Sequence, residues 1–340
     1  MKAFSIAEPG RATFRTVAEV PEPTPGEVLL RVRAVGFCGT DLSTYRGRNP
    51  LVSYPRTPGH EVAATVERGG DGVPEAIPAG TKVTVLPYTA CGTCSACRQG
   101  RPNCCRNNET LGVQRDGAMS PYITVPQEKV LPAPGLSLPA LALVEPLSVG
   151  NHAVERARVE EGDTVAVLGC GAVGLGAVAS AAYRGARVIA VDIADDKLQK
   201  ARQCGAARGI NSQETDLHEE LKSLTSGEGP DVVVEAVGLP ETFVAAVEEV
   251  AFAGRVVYIG YVEEPVTYDT ALFVKKELDL LGSRNASLEN FQSVAQLMEK
   301  GCVPIEALVT KTVDFEQAAD ALAEWHAHPQ DYTRIHVHMN

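Results

Sequence analysis

The segment "DTVAVLGCGAVGLGAVASAAYRGARVIAVDI", residues 163 to 193, constrains the fold more than any other stretch. Val165 to Leu168 has the length and apolar content of a short buried strand. Gly169, Gly171 and Gly174 follow in GxGxxG spacing, and a run of small residues then reads as a helix. Arg187 to Val191 reads as the next strand, ending at Asp192. Glycines so placed let the backbone turn tightly, approach a pyrophosphate and pack the helix on the strand. The phosphates lie at the helix N-terminus, where free N–H groups favour negative charge. An acid about 20 residues on is placed to accept from the adenosine ribose hydroxyls. A carboxylate there repels a 2′-phosphate, so the pattern implies NAD rather than NADP.

Residues 164 to 183 carry no charge. By length alone they could span a bilayer. Small residues keep their hydropathy modest, and the glycine spacing explains them as strand, turn and helix. The alternation continues through "DVVVEAVG" (231–238), "GRVVYIG" (254–260) and "LDLLGS" (278–283), each an expected strand. Helices are expected over 195–204 and 240–250. The result is a doubly wound parallel sheet of about six strands. Residues 1–130 read differently. "EVLLRVRAVG", "EVAATVERGG", "TKVTVLP" and "YITVP" are strand-like, with many Pro and Gly breaks, and predict an antiparallel β lobe. The expected class is therefore α/β, with two domains.

With 340 residues, 44% of them hydrophobic, the chain can build two cores. Its net charge of −12, with no run of Lys and Arg, argues against nucleic-acid binding and a polybasic membrane anchor. "MKAFSIAEPG" has no apolar run for a signal peptide, so a cytoplasmic setting is expected. Thiols stay reduced there, and clustered cysteines then point to metal. "CGTCSACRQGRPNCC" (91–105) holds five of the nine cysteines. Cys91, Cys94 and Cys97 are each two residues apart, and Cys105 follows after seven more. Four thiolates close a tetrahedron around zinc and leave no position for substrate, which describes a structural site. Cys104 is the alternative fourth ligand. Cys170, Cys204 and Cys302 are expected to pack in cores.

A second constellation lies elsewhere. "VGFCGTD" offers Cys38 and Asp41, "PGHEV" offers His60 and Glu61, and "LALVEPLSVGNHA" offers Glu145 and His152. A catalytic zinc takes three protein ligands and keeps one position open. Cys38 and His60 are the first candidates, completed by a carboxylate, with Asp41 placed to orient the imidazole. His336 and His338 alternate in "RIHVH", as on one face of a terminal strand, and are expected to meet solvent.

Taken in order, "CGTD", "GHE", "CGTCSACRQGRPNCC", "EPL" and "GCGAVG" make the whole chain resemble the zinc-dependent medium-chain alcohol dehydrogenases. The resemblance implies a GroES-like catalytic lobe over 1–148, an NAD domain over 149–283 and a completing segment over 284–340. It implies two zinc ions per subunit, NAD, and a dimer or tetramer. Where the family has a second catalytic thiolate this chain has Glu145, as in the polyol branch of sorbitol, threonine, galactitol and sugar-acid dehydrogenases. The implied catalytic shell is Cys38, His60 and either Glu145 or Glu61, one glutamate binding through water. Thr40 matches the proton-relay hydroxyl. Ser43 stands where many relatives have histidine and does not titrate near neutrality, so the outer relay is expected to run through water. The cofactor contacts implied beyond the glycines and Asp192 are Ala172, Val173, Lys197, Val237, Gly238, Ile259 and Gly260.

Tyr45 and Arg284 match substrate-contacting positions. A guanidinium at 284, just past a strand end, suits a carboxylate and favours a sugar acid over a neutral polyol. "YRGRNPLVSYPRTPGHE" (45–61) is similar to the branch containing L-galactonate oxidoreductase and starvation-sensing proteins. The implied reaction is oxidation of a secondary hydroxyl of an aldonate or polyol by hydride transfer to NAD. Neutral-polyol and threonine dehydrogenases are the enzymatic alternatives, and an NAD-sensing regulator on the same fold is the non-enzymatic one.

Overall fold

Strands covered on both faces carry continuous apolar runs, and such runs order one half of this chain. A computed structural model describes residues 1–17, 19–73, 77–262 and 264–339. They form two units, Met1–Glu145 with Ile305–Asn340, and Pro146–Pro304.

The second unit is built on a six-stranded parallel sheet. Its spatial order is Arg208–Asn211, Arg187–Asp192, Thr164–Leu168, Val232–Glu235, Arg255–Tyr258, Asp279–Gly282. This is the 3-2-1-4-5-6 order of a dinucleotide-binding sheet, with the switch point beside Thr164–Leu168. Val165, Ala166, Val167, Val188, Ile189 and Ala190 are fully buried. The expected strands are present with shorter ends, and Arg208–Asn211 is the one whose sequence lacks an apolar run. Residues 164–183 divide into the strand Thr164–Leu168 and the helix Ala172–Tyr183. No helix among the described residues is long and apolar enough to cross a membrane.

The sequence placed 284–304 with the completing segment, whereas here they fold with the second unit. The cause is a buried polar network. Asn290, in the helix Leu288–Glu299, donates from Nδ2 to Asn151 Oδ1 (2.9 Å) and to Glu155 Oε2 (2.6 Å). Its Oδ1 lies 3.0 Å from Nδ1 of His152. Buried amides need such partners, and these tie the helix to Leu138–Arg156.

In the first unit the long strand Glu27–Phe37 pairs with Glu61–Gly69, with Tyr122–Pro126 and with Ile335–His338. Lys82–Val85, Val130–Pro132 and Lys311–Asp314 complete a seven-stranded sheet. All pairs are antiparallel except the last, Lys311–Asp314 with Ile335–His338, which the helix Ala318–Ala327 connects as a crossover. Phe4, Phe14, Phe37 and Phe315 form a chain of edge-to-face contacts, with centroids 5.1 to 5.9 Å apart.

The expectation that His336 meets solvent is overturned. Ile335–His338 lies inside the sheet between Lys311–Asp314 and Glu27–Phe37, so both its edges are paired, and Ile335, His336 and Val337 are all buried. His336 is fully buried, and neither ring nitrogen has a hydrogen-bond partner. Burial pushes its pKa down from 6.5 to about 3, helped by the charges of Arg334 and His338. The unfolded chain therefore binds one more proton between these values. The stability that neutral His336 preserves is whole above pH 6.5 and is lost as pH falls through this window. Urea unfolding of His336→Leu should lose about 2 kcal/mol less than wild type between pH 6.5 and 4.5. Parallel pH profiles would reject this account.

Candidate active site and metal centres

Residues 91–105 are a succession of short turns, which point their sulfurs inward. Cys91, Cys94, Cys97 and Cys105 have all four Sγ atoms within 4.8 Å of one another. Cys94 Sγ lies 3.5 Å from Cys97 Sγ and 4.0 Å from Cys105 Sγ. Tetrahedral Zn–S bonds of about 2.3 Å set sulfurs about 3.8 Å apart, so the donor set fits zinc. Backbone N–H groups support thiolates: Cys91 N–H donates to Cys105 Sγ and Cys94 N–H to Cys91 Sγ, both at 3.3 Å. The Cys91 thiol is brought down to about 6 by hydrogen bonds from the Thr93 backbone and hydroxyl and the Cys94 backbone. Cys97 is pushed up to about 11 by desolvation and its neighbouring thiols. Cys104 turns away, its sulfur meeting Arg101 Nη2 (3.8 Å) and Asn103 Nδ2 (3.5 Å).

The second cluster is assembled by strand register. Gly36 pairs with Glu61 across the antiparallel strands, which brings His60 and Glu61 beside Cys38 at the start of the helix Gly39–Tyr45. Ligand atoms of Cys38, His60 and Glu61 all lie within 4.8 Å of one another. A Cβ on residue 36 would sit 2.2 Å from Glu61 Oε2, so glycine makes room for the carboxylate. His60 and Glu61 are buried. His60 Nδ1 and Glu61 Oε2 have no hydrogen-bond partner, and buried lone pairs of this kind suit a cation. Thr40 Oγ1 is 3.7 Å from Cys38 Sγ.

Asp41 has a different task from the one expected. Its Oδ2 accepts from Cys38 N–H at 2.9 Å and closes the first helical turn. It reaches His60 by charge rather than by a hydrogen bond. Burial opposes the charged imidazole, but the Cys38 thiolate, Asp41 and Glu145 hold His60 well above its usual pKa. Burial likewise raises the Cys38 thiol, but His60 and Arg334 outweigh it and bring it down to about 7. Glu61 is pushed well up by burial and by the charges of Cys38 and Glu145, against the pull of Arg334.

Two residues that the sequence reading did not single out shape this cluster. Arg334, 4% exposed, places Nη1 at 2.9 Å from Glu61 Oε1 and at 2.8 Å from the Phe37 carbonyl, to which it donates. The available signal was electrostatic: a thiolate and several carboxylates in one site need a buried cation. Tyr88 donates from its hydroxyl to Glu145 Oε1, both residues being buried. Glu61 thus stands within the cluster with Cys38 and His60, while Glu145 is held by Tyr88. His152 is engaged with Asn290 in the second unit. Tyr45 is buried with its ring edge-to-face on His326, 5.6 Å away. Arg284 is half-buried just beyond the strand Asp279–Gly282.

A cleft of about 500 Å³ opens at the ends of the parallel strands in the second unit. Gly169, Gly171, Asp192, Lys197 and Val237 line it, with Ile193 and Leu239 presenting apolar surface suited to a planar ring. Gly174 has no room for a side chain, since a Cβ would lie 1.8 Å from the Gly169 carbonyl oxygen. That contact is the close helix–strand approach that the fingerprint requires. Ala172 and Val173 begin the helix whose N-terminus faces the turn. Asp192 is fixed by backbone donors: Oδ2 accepts from Cys170 N–H (2.7 Å), and Oδ1 from Ile193 N–H (2.8 Å) and Ala194 N–H (3.2 Å). Lys197 Nζ stands 4.0 Å from Asp192 Oδ1.

Residues 24–135 match the alcohol dehydrogenase GroES-like domain, and residues 172–300 match the zinc-binding dehydrogenase model. L-Galactonate-5-dehydrogenase of Escherichia coli K12 is 34% identical, over 89% of this chain and 88% of its own. A sorbitol dehydrogenase of Bacillus subtilis 168 is 34% identical, over 94% of this chain and 92% of its own. Among solved structures, the alcohol dehydrogenase RspB of E. coli CFT073, complexed with cofactor NADH, superposes with a TM-score of 0.91 at 32% identity. It covers 100% of this chain and 99% of its own.

Elemental analysis should find two zinc ions per chain. Cys38→Ser should retain only the knuckle ion, with little change in melting temperature. Cys97→Ser should lose the knuckle ion and melt several degrees lower, because metal binding there is folding energy. A single ion in the wild type, or two in Cys38→Ser, would contradict the assignment.

Proposed function

Because the chain belongs to the zinc-binding, GroES-like alcohol dehydrogenase family, we propose that it oxidises a secondary hydroxyl of an aldonate of the L-galactonate type, with NAD as acceptor. The observation that carries this reading is the cluster of half-buried Cys38 with buried His60 and Glu61, whose Nδ1 and Oε2 have no hydrogen-bond partner. A complete donor set of this kind argues for catalysis rather than for cofactor sensing alone.

Zinc held by these residues would act as a Lewis acid on the substrate oxygen. NAD in the cleft would take the hydride. The protein's own groups do the rest. Cys38, His60 and Glu61 supply the donors. Arg334 balances their negative charge and fixes the Glu61 carboxylate through its 2.9 Å contact. Glu145, held by Tyr88, serves through water. Thr40, beside Cys38, takes the hydroxyl proton outward, and Ser43 leaves the next step to solvent. Asp192, already anchored by three N–H groups, presents its carboxylate to the adenosine ribose and favours NAD over NADP. Tyr45 contacts the substrate, and Arg284 binds its carboxylate through two parallel N–H···O bonds.

Support for the acid substrate comes from the guanidinium at position 284 and from the L-galactonate-5-dehydrogenase relative. The sorbitol dehydrogenase relative favours a neutral hexitol as the second reading. A screen of hexonates against hexitols, followed by NADH absorbance, separates them. Arg284→Ala should raise KM for the active hexonate by at least about tenfold, the loss of a charge-assisted pair. It should leave any hexitol within about threefold. Equal losses on both would remove the carboxylate role from Arg284.

A further inference from the structure

We propose that Glu235 is the positioning residue of the nucleotide cleft, holding in register the two chain segments that follow the neighbouring strands. The inference rests on the reading of that cleft as the NAD site and assigns its rigidity to one side chain.

Glu235 ends the strand Val232–Glu235 and is fully buried. Its Oε1 accepts from Val237 N–H (2.9 Å), Gly238 N–H (2.8 Å) and the Thr242 hydroxyl (2.7 Å). Its carbonyl oxygen accepts from Ile259 N–H (2.9 Å) and Gly260 N–H (3.3 Å). One residue thus takes donors from both segments in which cofactor contacts are expected. Ala236, Val237, Leu239 and Thr242 line the cleft directly. Oε2 has no hydrogen-bond partner. It packs against Gly260, where a Cβ would come within 2.5 Å of Oε2 and 2.5 Å of Gly238 N. The two loops therefore touch through Glu235, and glycine at 260 permits the approach.

A buried carboxylate is a poor choice for mere strand packing. An apolar side chain would fill the same space without desolvating a charge. No ion pair to Glu235 is found among the described residues; its Oε1 faces N–H and O–H donors instead. Removal would orphan the N–H groups of Val237 and Gly238 at the edge of the cleft, leaving them to turn toward water. The wall would then lose its shape for the ligand while the strands beneath remain paired.

The test is NADH titration by fluorescence on the zinc-loaded protein, with KM for NAD, kcat and amide hydrogen exchange read in parallel. Glu235→Ala should weaken NADH binding and raise KM for NAD by about tenfold or more, with a smaller change in kcat at saturating NAD. Zinc content should be unchanged, and exchange should quicken at Val237 and Gly238. Glu235→Gln keeps an oxygen for the three donors and should recover binding to within about threefold of wild type. Thr242→Val removes one donor without touching the strand, and should show a smaller loss in the same direction even if Glu235→Ala does not fold. Wild-type affinity in Glu235→Ala or Thr242→Val, or a Gln variant no better than Ala, would overturn the proposal while leaving the cleft's assignment standing. A zinc-loaded wild type that binds no NADH would overturn both.

Discussion

Burying Cys38, Asp41, His60, Glu61 and Glu145 in one unit is tolerable only if positive charge is buried with them. Arg334 supplies one such charge at 2.9 Å from Glu61 Oε1, and the metal ion that the donor set fits would supply the rest. Arg334 arrives with the segment in which the chain returns to its first unit. Residues 305–340 come back after the nucleotide-binding unit is complete, and Ile335–His338 pairs with the strand that ends at Phe37. That pairing sets Arg334 beside the Phe37 carbonyl and the carboxylate it must neutralise. The C-terminal strand thereby completes an electrostatic site as well as a sheet.

The two units meet the same problem, the holding of irregular segments at strand ends, with the same device. At the metal cluster, Asp41 folds back on the Cys38 N–H and rigidifies the turn that carries the thiol. At the nucleotide cleft, Asp192 collects three backbone N–H groups, while Glu235 collects two and a hydroxyl. Buried carboxylates satisfied by main-chain donors make loops as rigid as the strands they follow. Glycine supplies the complementary space: position 36 admits Glu61 and position 260 admits Glu235.

Much of this was legible in the linear chain. The four sulfurs of the knuckle lie within fifteen residues, and the glycine turn lies within six, so spacing alone brings their atoms together. Which glutamate stands beside Cys38 and His60 was not legible. Glu61 and Glu145 are both acids near the seed motifs, and the choice between them depends on the Gly36–Glu61 register and on Tyr88 occupying Glu145. His336 was misread because a terminal position suggests an edge, whereas this strand was inserted between two others. The segment 284–304 was assigned to the wrong body for a similar reason: Asn290 is anchored by residues far away in the chain, at 151, 152 and 155.

By itself the sequence determined the dinucleotide turn and the four-cysteine spacing, because each is written in residues close together along the chain, and it determined the parallel sheet and the β-rich lobe through the pattern of their apolar runs. Tertiary structure alone decided that Glu61 stands beside Cys38 and His60, that Arg334 meets Glu61 and Tyr88 meets Glu145, and that Glu235 accepts from residues on two loops. The contacts of Arg334 with Glu61 and of Tyr88 with Glu145 join residues remote in sequence, and a one-residue slip between the strands Glu27–Phe37 and Glu61–Gly69 would turn Glu61 to the opposite face.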